Sequence, residues 1–158
     1  MSMIDDRTVE APVVFNFETV LASSHHDLAI AKSLFDDFRA FVLEEQPMLL
    51  QSIAQISSDR EALRKRVHRL KSSAGFVGAD RVSHAAAALQ EYLLAPDSSG
   101  SIERALRALI DAMQEFSGIS SFENAFRLFK LTKRERSSVR GHKAAEDGEV
   151  VKPPQASS

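Results

Sequence analysis

Residues 58–79 read Ser58-Asp59-Arg60-Glu61-Ala62-Leu63-Arg64-Lys65-Arg66-Val67-His68-Arg69-Leu70-Lys71-Ser72-Ser73-Ala74-Gly75-Phe76-Val77-Gly78-Ala79, and the spacing of their apolar side chains decides the fold class. Ser58-Asp59-Arg60-Glu61 has the form of a capping box, in which a hydroxyl and a carboxylate satisfy free N–H groups at a helix start. Leu63, Val67, Leu70 and Ala74 then recur at intervals of three and four, which predicts one buried helical stripe. Gly78 follows the last apolar turn and, lacking a Cβ, takes readily to the left-handed conformation that ends a helix. His68 lies about 100° round from Val67, at the edge of the stripe. Arg64, Lys65, Lys71 and Ser72 are three or four residues from it and share its surface. The period therefore predicts an imidazole in water, among cations. With an ordinary pKa of ~6.5 an imidazole keeps a free lone pair near pH 7, and the cations attract an oxyanion. Ser72 to Gly75 are small and leave room for a phosphoryl group and for another protein's surface.

The same period extends outward. Asn16 is placed to cap a short helix over about 17–23, and Ser23-Ser24-His25-His26 reads as a connection. From Asp27 onward, Leu28, Ala31, Phe35, Phe38, Val42, Leu49 and Ile53 form one stripe, with Leu34, Phe41 and Met48 beside it. Pro47 removes a backbone donor within that pattern, so the reading expects a bend there or two helices in succession. After Gly78 a helix is expected over about 80–94, burying Val82, Ala85, Ala86, Leu89 and Leu93. Pro96-Asp97-Ser98-Ser99-Gly100 breaks it. Another helix, from about Ser101 to Gly118, turns Ile102, Ala105, Leu106, Leu109, Met113 and Phe116 inward. A last amphipathic segment, about 121–131, groups Phe122, Ala125, Phe126 and Phe129, and packing suits it better than an exposed partner-binding face. Val13-Val14-Phe15 is too short and isolated to build a sheet. The expected fold is all-α, an antiparallel four-helix bundle with a short N-terminal helix, an extra C-terminal helix and a disordered tail. The expected organisation is a flexible arm over 1–15, the bundle over 16–132 and the tail over 133–158, basic and then Pro/Ser-rich.

Composition sets the outer bounds. The 158 residues suit one domain, and 44% are apolar, enough for a core. With 20 basic against 22 acidic residues the net charge is −2, poorly matched to nucleic acid. The absence of cysteine excludes disulfides, thiolate nucleophiles and thiolate zinc sites. No apolar run approaches the ~20 residues that span a bilayer, and the polar start does not resemble a secretory signal, so a cytoplasmic location is expected. Between Arg127 and Lys143 stand seven basic residues and one acidic one, a composition suited to a solvated tail.

His68 with Leu70 and Lys71, the small run 72–75 and Gly78-Ala79 is similar to the signature of histidine-containing phosphotransfer (HPt) domains, the relay modules of multistep His–Asp phosphorelays. The resemblance extends from about Val14 to Phe116. It implies a central four-helix bundle with the phosphoryl acceptor, His68, exposed at mid-helix and reacting through its distal ring nitrogen. It implies that Lys71 steadies the phosphoryl oxygens, that Gln90 hydrogen-bonds near the ring, and that Gly78 is the turn glycine. Arg64 and Lys65 would rim the docking surface. The chain would be a carrier, not an enzyme, with no cofactor of its own. Mg²⁺ would sit in the partner, a receiver domain of a response regulator or hybrid histidine kinase. A monomer is expected. One position departs from the family: Ser72 stands where glycine is usual, and its hydroxymethyl group either narrows access or donates a hydrogen bond to phosphate.

The remaining histidines carry less. His25 and His26 read as loop residues and His84 as an edge or partly buried residue. No third ligand joins His84 and His68, so no metal site is expected. A second function stays open at this point, an HPt-like adaptor or inhibitor that binds a receiver or kinase without transfer.

Overall fold

The computed structural model describes residues 12–55, 59–95 and 99–135, and these are helical with no strand. The first unit, which closes at Phe122, contains α1 (Phe17–Ser23), α2 (Leu28–Ser52, followed by a 3₁₀ turn at Ile53–Gln55), α3 (Arg60–Val77), α4 (Asp80–Leu94) and α5 (Ser99–Ser117). Helices α2 to α5 form the four-helix bundle. Each packs on the next, and α5 closes the ring against α2. The antiparallel register of α3 and α4 is visible in their contacts. Arg60 near the start of α3 donates to the carbonyls of Tyr92, Leu93 and Ala95 at the end of α4, and Ser83 near the start of α4 donates to Lys71 O.

Local chemistry explains where the helices begin and end. Asn16 Oδ1 accepts from Thr19 N at 3.3 Å and caps α1. Asp27 accepts from Ala29 N and Ile30 N and caps α2. Asp59 precedes α3 without a side-chain cap bond, and Ser58 of the expected capping box lies outside the described residues. Gly78 ends α3 at φ 88°. Helix α5 begins at Ser99, two residues before the expected start.

The expected stripes are the core. Leu63, Val67, Leu70 and Ala74 of α3 are buried, as are Val82, Ala86, Leu89 and Leu93 of α4 and Ile102, Leu106, Leu109, Met113 and Phe116 of α5. Fully burying one such Leu, Val or Phe is worth about 1.5–3 kcal/mol. At one end the core is aromatic: the ring centroids of Phe35 and Phe116 are 5.3 Å apart, and those of Phe38 and Phe116 are 5.1 Å apart.

The structure corrects several readings. Helix α2 runs unbroken through Pro47, so there are not two helices in succession. The flanking turns are tied down by Phe38, Val42 and Leu49 in the core, and tertiary packing outweighs the lost hydrogen bond. Leu28 is exposed, because the first turn of α2 projects beyond the core. Residues 12–15 are not a loose arm. Val13 O accepts from Arg81 N, Asn16 N donates to Gly78 O at 2.7 Å, and the Phe15 ring lies 5.1 Å from Phe35 and 5.8 Å from Phe116. Residues 1–11 of that expected arm lie outside the described residues. Ala85 and Ala105 are only half-buried, and His84 is exposed rather than at a buried edge. Glu45, on the buried side of α2, is held by Arg66 at 2.8 Å.

The last helix, α6, covers 122–135 and reaches beyond the expected limit of 132. Phe122 is buried, with its ring 5.1 Å from Phe17 and 5.9 Å from Phe35. From Glu123 a second unit begins. Within it Lys130 lies over the Phe126 ring and Lys133 over the Phe129 ring, with Leu128 and Leu131 exposed. The remainder of the expected tail, 136–158, lies outside the described residues.

Candidate functional site

Helix α3 sets His68 by alternation of buried and exposed turns. Val67 and Leu70 are fully buried, and rotation of about 100° per residue carries the intervening His68 and Arg69 into solvent. Gln90 of α4 faces the imidazole, with its amide nitrogen 3.2 Å from His68 Nδ1. Gln90 Oε1 is buried and has no partner among the described residues. Nδ1 is therefore the engaged ring nitrogen, and Nε2 has no hydrogen-bond partner among the described residues.

The cations predicted around the ring behave differently from one another. Arg64 is committed to Glu61 through two hydrogen bonds, of 2.7 and 3.1 Å. Those bonds hold the Glu61 carboxyl below the ordinary carboxylate value and raise the Arg64 guanidinium above its own. Lys65 and Lys71 are exposed and form no ion pair among the described residues. Ser72 is exposed beside the ring, one turn further along α3. Gly75 is not sterically required, since an added Cβ would meet only Ser83 Oγ at 3.6 Å. Gly78 is required, because a Cβ there would lie 2.3 Å from Asn16 O and the backbone is left-handed. Asn16 thereby fastens α1 to the α3–α4 turn, and Ser23 Oγ adds a 2.6 Å bond to Phe76 O.

Beside His68 a groove of about 600 Å³ opens between α2 and α3. Leu34, Phe38 and Phe41 line it from α2, Phe76 and Val77 from α3. Asp37, Arg69, Ser72, Ser73 and His68 complete the wall. Arg69 lies 5.9 Å from the Phe41 ring centroid, a cation–π contact. The groove is the feature that reading α3 by itself misses. Its signal lay in Leu34 and Phe41, beside the main stripe of α2, and in Phe76, which is 53% exposed.

Among the described residues no group of three or more His, Cys, Asp or Glu is placed to hold a metal ion, and no helix is long and apolar enough to cross a membrane. The family model of the Hpt domain matches residues 33–116, more than half of the chain, and the chain belongs to the Hpt domain family. The Hpt domain is a histidine-containing phosphotransfer module of phosphorelays, a carrier rather than a catalytic domain. No curated protein and no solved structure matches the chain.

Proposed function

We propose that this protein relays a phosphoryl group between receiver-domain aspartates through His68. The observation that carries the reading is an exposed imidazole, held at Nδ1 by Gln90, at the mouth of an apolar groove. In the forward step the Nε2 lone pair attacks phosphorus of the receiver's acyl phosphate. The N–P bond forms, the P–O bond to the aspartate breaks, and the carboxylate leaves. The imidazole must carry its proton on Nδ1 for Nε2 to be the nucleophile. The Gln90 amide stabilises that tautomer when Oε1 faces Nδ1, a rotation that also gives the buried Oε1 a donor.

Lys71, one turn beyond His68 on the same face, is suited to pair with the phosphoryl oxygens. The Ser72 hydroxyl is a second donor. Lys65 rims the docking surface. Arg64 joins that rim with less effect, because Glu61 already occupies it. Mg²⁺ belongs to the partner receiver, where it neutralises charge on the transferring group. The protein acts in the cytoplasm, as a monomer between transfers.

Incubation with a phosphorylated receiver and Mg²⁺ tests the reading. Wild type should acquire an acid-labile, base-stable label. His68→Gln should acquire none while keeping its helical content, because the side chain is exposed. Stoichiometric receiver binding without label on wild type would replace relay by an adaptor role.

A further inference from the structure

Leu34, Asp37, Phe38 and Phe41 stand at i, i+3, i+4 and i+7 of α2 and together form its wall of the groove. That spacing is one ridge of a helix. Three of its four positions are large and apolar, and one is a carboxylate. Asp37 is exposed and makes no ion pair or hydrogen bond with another described residue. Its neighbour Asp36 points to a different fate, being paired with Lys32 at 2.7 Å. The cation of the groove, Arg69, lies over the Phe41 ring.

We infer that Asp37 is a partner-selecting residue, which admits to the groove a receiver-domain helix with a two-turn apolar ridge interrupted by one Lys or Arg. The inference rests on the proposed docking of receivers beside His68 and deepens it. The groove gives the length: Leu34 to Phe41 spans about two turns of helix, room for anchors at i and i+4 of the occupant. The carboxylate gives the charge. An apolar ridge with a single ionised member gains little affinity over a fully apolar one, since a rim ion pair is weak. It does penalise occupants that bring an acid or an apolar side chain to that position, through repulsion or a desolvated, unpaired carboxylate. A polar residue within an apolar helical seam fixes partner and register in this way at some cost in affinity.

The test measures phosphoryl transfer rates from a panel of purified, phosphorylated receiver domains to wild type, Asp37→Leu and Asp37→Lys. Wild type should favour one or a few receivers. Asp37→Leu should shrink the ratio between the preferred receiver and the rest by about tenfold, mainly by accelerating the rest. Asp37→Lys should slow the preferred receiver by about tenfold, with recovery when that receiver's groove-facing cation is reversed to Glu. Ratios unchanged within about twofold in both variants would overturn the inference while leaving the relay intact. Transfer from no receiver to wild type would instead remove the relay reading, and this inference with it. Circular dichroism of both variants should match wild type, because Asp37 is a surface residue.

Discussion

At the scale of the residue, the proposed transfer depends on which nitrogen of His68 holds the proton. Helix α3 supplies exposure, but exposure leaves both tautomers accessible. The Gln90 amide selects between them: with Oε1 turned toward Nδ1 it accepts the Nδ1 proton and leaves the Nε2 lone pair free. Replacing Gln90 by Leu should therefore slow transfer by about tenfold, within the range of a lost orienting bond. Stability should change by less than about 1 kcal/mol, because the substitution removes one hydrogen bond to an exposed ring. Ring ¹⁵N shifts of His68 are the decisive readout, and a population of Nδ1–H tautomer equal to wild type would argue against the role. A helix wheel places His68 and Lys71 on one surface, but Gln90 is 22 positions away. Its place beside the ring was implied by resemblance to the family, and no spacing within α4 would have given it.

At the scale of the element, the junction of α3 and α4 is the most constrained point of the chain. Gly78 serves there as a left-handed cap and as the site where Asn16 O approaches. Gly78→Ala combines a left-handed Ala, at roughly 1–2 kcal/mol, with a clash against backbone that must move. The expected loss is about 2–4 kcal/mol in urea denaturation, and a loss under about 1 kcal/mol would show that α1 yields easily. The sequence disclosed the cap, because Gly after an apolar turn is a local signal. It did not disclose the close approach, which depends on a segment more than 60 residues upstream. Pro47 is the opposite case. Its local rule foretold interruption, and the packed residues on either side kept α2 whole.

At the scale of the whole molecule, the segment before α1 completes the core. Phe15 bridges Phe17, Phe35 and Phe116, with centroids 5.1–5.8 Å away, although the run Val13-Val14-Phe15 is too short and isolated in the sequence to build a sheet. Phe15→Ala should cost about 2–3 kcal/mol, below the range for a fully buried ring because Phe15 is only half-buried. Thermal unfolding should show it as a fall in Tm of several degrees, with His68 still labelled by a phosphorylated receiver. An unchanged Tm would mean that residues 12–15 rest on the bundle without stabilising it.

The sequence by itself determined the helices, their buried faces, the turn at Gly78 and the emergence of His68 into water. Each of these follows from the 3.6-residue period and from backbone preferences that act within a few residues. Only the tertiary structure decided that α2 and α3 leave a groove beside the imidazole, that Glu45 finds Arg66, and that Asp37 falls on the groove wall. Those outcomes depend on how far each helix is rotated and slid against its neighbour. A pattern of apolar residues fixes the buried side of a helix, but not which residue of the next helix stands opposite.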